Sequence, residues 1–351
     1  MSIDGNGTLR ILVIAPFGRG FLAESYARAL QQNGHEVFRF DSDRAYFQAG
    51  VYAGNRWCRR LLRKTLWNRL NRTTLEVVRA VCPSFVLAFK AAFLNPATIR
   101  RIRIEEGVPI INYYPDNPYC GVPLDPRKTS AQRRDIIDCL REYTRVFTWE
   151  KGLVNRLAAD RVSAAYLPFG VDPEMFRPLE ATACQSCEGS HDVAFVGLHT
   201  TLRQQHLDSV GNHAVAIWGP GWSRASRRFR DRHVIHEQRT FGVDCARVYA
   251  SAKVSLNLLN HENIPGHNMR TFEIPASGGV MLATYTEEQA EFFPEGEAAW
   301  YYRDPRELDD LIDRLLRDEQ TLERTRRLAL QIAQNHTYDH RAKSLLANLQ
   351  V

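Results

Sequence analysis

No stretch of this sequence is apolar for long enough to cross a bilayer. The most apolar one, Phe85 to Leu94, is broken by Lys90 and is about half of a ~20-residue span. The opening residues, Met1-Ser-Ile-Asp-Gly-Asn-Gly-Thr8, lack a basic region. The apolar run after them, Ile11 to Phe17, is short and strand-like, which argues against a secretory signal. Cysteine is sparse and odd in number, 7 in 351 residues, so a reducing compartment is expected rather than a disulfide framework. No short repeat or low-complexity tract is visible. Charge of one sign is not in large excess: 46 Lys+Arg against 40 Asp+Glu leave +6. That mild basicity suits an anionic substrate or an anionic surface. Motifs of nucleic-acid readers are missing, so nucleic acid is not an expected partner. With 44% hydrophobic and 25% charged residues, disordered, collagenous and coiled-coil classes are excluded. The length predicts two domains, and a cytoplasmic protein is expected.

What is present is an alternation of strands and helices. Leu9 to Ala15 is a continuous apolar run, as in a buried parallel strand. Pro16-Phe-Gly18-Arg-Gly20 is a turn. Ala23 to Gln32 has helical spacing and ends at Asn33-Gly34, and His35 to Phe40 is the next strand. Further strands are predicted at Phe85–Ala88, Val108–Asn112, Arg145–Thr148 and Ala164–Leu167, with helices at 75–81, 96–106 and 150–159. Residues 181–190 are polar and without apolar period, and read as a linker. A second series follows, with strands at 192–197, 215–218, 253–259 and 280–283. Its helices are predicted at 202–210, 244–251, 268–276, 288–292 and 305–334. The fold class is α/β, two doubly wound halves.

The most informative segment is His267-Asn268-Met269-Arg270-Thr271-Phe-Glu273, followed by Gly278-Gly279. A helix that starts after a strand offers unpaired N–H groups, and Arg270 adds a fixed charge with a donor fork for phosphate. Glu273, one turn on, can accept from vicinal hydroxyls of a ribose. The plainer alternative is a surface helix with an Arg–Glu pair. Lys90 and Asp116 follow predicted strands, at the carboxyl ends where α/β sites lie. Asp116, bracketed by Tyr113, Tyr114 and Pro118, is placed to take a hydroxyl proton or to cap a turn. Gly18-Arg-Gly20 lacks the third glycine of a dinucleotide fingerprint, which argues against a dehydrogenase. Asp41-Ser-Asp43 reads as a strand-end turn. Cys184-Gln-Ser-Cys187 has no second pair to complete a zinc site.

These segments resemble, in order along nearly the whole chain, the GT-B glycosyltransferases, in particular the group-1-like branch that includes CgeB-like proteins. The likeness rests on 267–279, on Tyr166-Leu-Pro-Phe-Gly-Val-Asp172-Pro-Glu-Met-Phe176-Arg-Pro178, on Phe195-Val-Gly197 with Arg203, on Asn112-Tyr-Tyr-Pro-Asp116-Asn-Pro118, and on His336-Thr-Tyr338-Asp-His-Arg341. It implies a metal-independent transferase that takes a UDP- or GDP-sugar as substrate, with no cofactor, and works in an inter-domain cleft. The implied domains are 1–180 for the acceptor, 191–334 for the nucleotide-sugar, and a helix at 335–351 that packs back on the first. Donor contacts are implied for Gly197, His199, Arg203, Arg239, Thr240, Phe241, Asn268, Met269, Arg270, Thr271 and Glu273. Gly18, Gly20, Lys90 and Tyr114 fall on the acceptor side, with Asp116 as candidate base. In the retaining members two glutamates stand in an E-x7-E pattern. Glu273 matches the second, and the first position is Pro265. A non-catalytic assembly protein or a nucleotide-sugar epimerase on the same fold is the alternative.

Two basic clusters remain. Arg56, Arg59, Arg60, Arg63, Lys64, Arg69 and Arg72 are interleaved with Trp57, Leu62, Leu66, Trp67 and Leu70. The other is Arg224, Arg227, Arg228, Arg230 and Arg232. The first suits a peripheral contact with an anionic membrane, or it is the solvated face of a helix.

Overall fold

The computed structural model describes residues 7–48, 56–120, 129–178 and 191–349. The linker expected at 181–190 and the Cys184/Cys187 pair lie outside them. The chain divides into two compact units, Met1–Pro168 with Arg341–Val351, and Phe169–His340.

The first unit holds a parallel sheet of order β2-β1-β3-β4-β5-β6. Its strands are β1 (Arg10–Ala15), β2 (Glu36–Asp41), β3 (Phe85–Phe89), β4 (Ile110–Tyr114), β5 (Arg145–Thr148) and β6 (Ala164–Tyr166). The central runs RILVIA, FVLAF and IINYY are apolar nearly throughout because helices cover both faces. Those helices are α1 (Leu22–Gln32), α2 (Ser42–Gln48), α3 (Arg56–Val81), α4 (Pro96–Ile104), α5 (Thr129–Arg141) and α6 (Lys151–Ala159). Strand order reverses between β1 and β3, so the crevice at that switch point lies at the ends of Ala15 and Phe89.

Two expectations change here, and one of two alternatives is favoured. The helix expected at 75–81 is the end of α3, which starts at Arg56. Leu66, Leu70 and Val78 are buried at helical spacing, while Arg63, Lys64, Arg69 and Arg72 are exposed. The described part of the first basic cluster is therefore the solvent face of a core-packed helix. Asp41-Ser-Asp43 is a helix cap: Asp41 Oδ1 accepts from the amides of Asp43 (3.1 Å) and Arg44 (3.0 Å).

The second unit holds six parallel strands in the order β12-β11-β10-β7-β8-β9, the 3-2-1-4-5-6 arrangement with its switch between β7 and β10. They are β7 (Val193–Val196), β8 (Val215–Trp218), β9 (Val234–His236), β10 (Val254–Asn257), β11 (Met281–Thr284) and β12 (Trp300–Tyr302). The helices are α7 (Thr201–Asp208), α8 (Arg227–Arg232), α9 (Val243–Ser251), α10 (Arg270–Ala276), α11 (Glu287–Phe292), α12 (Leu308–Arg317) and α13 (Glu319–Ala333); the last helix, α14 (Tyr338–Ala347), begins in this unit and belongs to the first from Arg341 on. β9 and β12, three residues each, gave too short a pattern to predict. The single helix expected at 305–334 is broken at Asp318, whose carboxylate caps α13 through the Thr321 amide (2.9 Å) and hydroxyl (2.7 Å). Among the described residues no helix is long and apolar enough to cross a membrane.

Candidate functional site

The switch point of the second unit is built from the chain after β7 and the chain after β10. At the end of β7 the backbone is crowded. A Cβ on Gly197 would stand 2.7 Å from the Phe195 ring. Gly219, after β8, has φ +149°, and a Cβ there would lie 2.2 Å from the Gly197 carbonyl oxygen. The two glycines let adjacent strand ends touch backbone to backbone. Trp222 Nε1 donates to the same Gly197 oxygen at 2.9 Å, which fixes the loop from below.

α7 then starts with Thr200 as its cap, Oγ1 accepting from the Arg203 amide at 3.3 Å. The Arg203 side chain does not run out to solvent. It is 3% exposed, and it donates through Nη1 to Leu198 O (3.0 Å) and through Nε to Leu258 O (3.3 Å). One guanidinium thus ties the β7 loop to the β10 loop across the switch point. Burial and the neighbouring Arg270 charge pull it down to about 9. His199 is turned aside: its Nε2 meets Gln204 Oε1 at 2.8 Å and its ring stands edge-on to Trp222.

Arg270 and Glu273 share α10, one turn apart. Arg270 also reaches the side chain of the buried Tyr249 on α9. Burial pushes the Glu273 carboxyl up to about 7 against the opposing pull of Arg270. Cys245, on the same side of α9, is buried, and its thiol is pushed up to about 12, chiefly by burial. It is a packing residue rather than a nucleophile. Arg203, Arg270, Tyr249 and Glu273 therefore form one charged cluster on the carboxyl edge of the sheet.

α10 differs from its expected form. It has two turns, starts at Arg270 rather than Asn268, and contains Pro275. The amides of Phe272 and Glu273 both bond to Met269 O (3.0 Å), and that of Thr271 to Asn268. These N–H groups are spent inside the turn, so positive charge at this point comes from Arg270 itself. Asn268 and Thr271 are 8% and 0% exposed, and their side chains point into a buried polar network beneath the cluster. Arg239, Thr240 and Phe241 stand in a separate loop after β9, with Phe241 61% exposed.

In the first unit, Lys90 and Asp116 are brought together as an ion pair from the carboxyl ends of β3 and β4. Lys90 and Ala91 both have left-handed backbone, φ 55° and 42°, a conformation that costs roughly 1–3 kcal/mol at non-glycine residues. Asp116 is not the turn cap, because Asn117 Oδ1 holds the Tyr119 amide at 2.9 Å. Tyr114 is buried beside Asp116, and burial pushes its hydroxyl well up. Gly20 has φ 86°, and Gly18 lies beneath the Phe21 ring.

Residues 201–347 match the family described as glycosyl transferase-like. Solved structures share the fold over almost the full chain. HepE (Alr3699) from Anabaena, in complex with UDP and glucose, is 13% identical with TM-score 0.65, covering 97% of this chain and 99% of that one. HepE in complex with UDP-glucose gives 12% identity and TM-score 0.66, with the same coverage. Sucrose-phosphate synthase from Thermosynechococcus elongatus gives 12% identity and TM-score 0.71, with 97% and 98% covered. No curated protein sequence matched the chain. The chain thus has the two-domain GT-B fold, and its residues 201–347 are similar to the glycosyl transferase-like family.

Proposed function

We propose that the protein is a glycosyltransferase that moves a sugar from a nucleoside diphosphate, UDP in the first place, to an acceptor hydroxyl. The observation that carries this reading is the pairing of Arg203 with Arg270 at the switch point of the second unit. Two guanidinium groups near each other, one of them buried, are costly unless an anion neutralises them. A diphosphate does so: it fits the donor fork of Arg270 and meets the charge of Arg203, whose Nε and Nη1 are held by the Leu258 and Leu198 carbonyls. The HepE structures with UDP and UDP-glucose support the choice of nucleotide for testing.

In this reading Arg203 and Arg270 stabilise the charge that develops as the bond from the anomeric carbon to the diphosphate breaks. Their two positive charges supply the neutralisation for which other transferases use a metal ion. Glu273 accepts from the ribose hydroxyls. The first unit handles the acceptor through Gly18, Gly20, Lys90, Tyr114 and Asp116, and Asp116 takes the proton of the attacking hydroxyl. The second handles the donor. A cytoplasmic protein that touches an anionic bilayer through the exposed basic face of α3 is consistent with this picture. Its sedimentation with anionic vesicles should then fall with added salt.

The decisive experiment is calorimetry of the purified chain with UDP, GDP and UDP-glucose, with and without EDTA. Binding of UDP in the micromolar range that survives EDTA is expected. Absence of nucleotide binding, or strict need for a divalent cation, would overturn the reading.

A further inference from the structure

The charged cluster stands on a buried polar network that the reaction itself does not need. The start of α11 grips the segment ahead of α10 at two points and α10 itself at a third. Thr286 Oγ1 donates to Gly266 O at 2.8 Å. Glu288 Oε2 lies 3.3 Å from His267 Nδ1, and the other nitrogen of that ring accepts the Phe169 amide at 3.1 Å. Gln289 Oε1 accepts from Thr271 Oγ1 (2.8 Å) and from Asn257 Nδ2 (3.1 Å). Gln289 Nε2 meanwhile donates to Thr284 O at 2.8 Å. Asn257, at the end of β10, holds Asn268 Nδ2 through its own oxygen at 2.9 Å. Asn257, His267, Thr271 and Gln289 are all completely buried.

Such a network is an expensive way to fill a core. Each buried amide and hydroxyl loses its water, and the bonds it gains roughly offset that loss. Well-packed apolar side chains of similar volume stabilise a core as well or better. What the network adds is geometry: the interlocking bonds of Gln289, Asn257, Asn268 and Thr271 favour one arrangement of the elements that carry them. Gln289 is its hub, with both acceptor positions of Oε1 and one proton of Nε2 engaged by three separate elements. The residues it fixes, Asn257, Asn268 and Thr271, flank and support Met269, Arg270 and Glu273.

We propose that Gln289 is a positioning residue of the donor site: it makes no contact with the nucleotide and sets where Arg270 and Glu273 stand through Thr271 and Asn257. The inference rests on the reading of that cluster as a nucleotide site. The test uses UDP as probe, the full chain, and the variants Gln289→Met, Thr271→Val, Arg270→Ala and the double variant Gln289→Met/Arg270→Ala. Methionine keeps the volume of Gln289 and removes its polar atoms. Valine does the same for Thr271.

Gln289→Met should weaken UDP binding by about tenfold, with Thr271→Val shifting it in the same direction, while circular dichroism remains that of the wild type. In the Arg270→Ala background Gln289→Met should cost clearly less than in the wild type, because one of the two groups it positions is gone and only Glu273 is left to misplace. Losses that multiply would mean that Gln289 acts only on overall stability, and would overturn the proposal. So would wild-type affinity in a folded Gln289→Met. If that variant fails to fold, wild-type affinity in Thr271→Val overturns it. Failure of the underlying reading looks different: Arg270→Ala would then bind UDP as the wild type does, or the wild type would not bind it.

Discussion

Glu273 stands one helical turn after Arg270 and is held near neutrality, its carboxyl pushed up to about 7 by burial against the pull of that guanidinium. Its ionised form, able to accept from both ribose hydroxyls, is therefore incomplete near neutral pH and grows as pH rises. UDP affinity of the wild type, relative to Glu273→Gln, should rise between pH 6 and pH 8. Taking the ratio removes the ionisation of the phosphates themselves. A ratio that stays flat across that range would remove Glu273 from the nucleotide contact.

The same shift has a consequence for stability. A carboxyl whose folded value lies above its unfolded value favours the fold while protonated. That contribution is complete below about 4.5 and is lost as pH rises through about 7. Glu273→Gln, which cannot ionise, should gain stability over the wild type as pH goes from 5 to 8. Thermal unfolding at the two pH values measures the difference, and a gap that closes instead of opening contradicts the assignment.

Arg270 should discriminate by phosphate number. Hydrogen bonds to charged groups are worth roughly 1.5–3 kcal/mol, or about one to two powers of ten in affinity. Arg270→Ala should lose that much for UDP and clearly less for UMP in calorimetry. Equal losses for both would assign Arg270 to the nucleoside or to the fold. Arg203→Ala is the poorer probe, because it also strips the carbonyls of Leu198 and Leu258 of their donor.

The parallel strands were legible because a strand covered on both faces is written as an unbroken apolar run, as in Leu9–Ala15 and Phe85–Phe89. Arg270 and Glu273 were legible too, through their spacing and their place after a strand. Tyr249, Cys245 and Gln289 were not. They meet the cluster from α9 and α11, and no local pattern marks a side chain that comes from another helix. Arg203 was visible as a residue but not as a buried one: the sequence around it, TLRQQHLD, looks like a solvated helix start. Its burial follows from two carbonyls that loops at opposite sides of the switch point bring together. The stretch 56–72 was legible as a helix face through Leu66 and Leu70, but not as one helix continuous with 75–81.

Two glycines of the second unit should respond very differently to alanine. At Gly219 the added Cβ would collide with backbone, 2.2 Å from Gly197 O, and φ is +149°. Neither strand end can yield without parting the loops that carry Arg203, so Gly219→Ala should be insoluble or strongly destabilised. Gly278 has φ +79°, and its nearest neighbour is the Pro178 side chain at 3.9 Å. There only backbone strain is added, roughly 1–2 kcal/mol. Thermal unfolding of the pair separates close approach from backbone preference, and similar losses in both would contradict the crowding at Gly197.

The acceptor side makes its own demand. Asp116 is joined to Lys90, whose left-handed backbone turns its side chain toward the neighbouring strand end. If Asp116 takes the proton of the attacking hydroxyl, Asp116→Asn keeps the shape and removes the base. Transfer should then slow by roughly 10²–10⁴-fold, the usual worth of general-base catalysis. UDP affinity should not change, because the variant residue lies in the first unit and the diphosphate contacts lie in the second. Lys90→Met should reduce transfer less, since it frees the carboxylate without deleting it. The measurement pairs initial rates with UDP-glucose, on an acceptor found by glycan screening, with UDP calorimetry on each variant. A drop in UDP affinity equal to the drop in rate would make Asp116 a structural residue. An unchanged transfer rate in Asp116→Asn would hand the proton to another group.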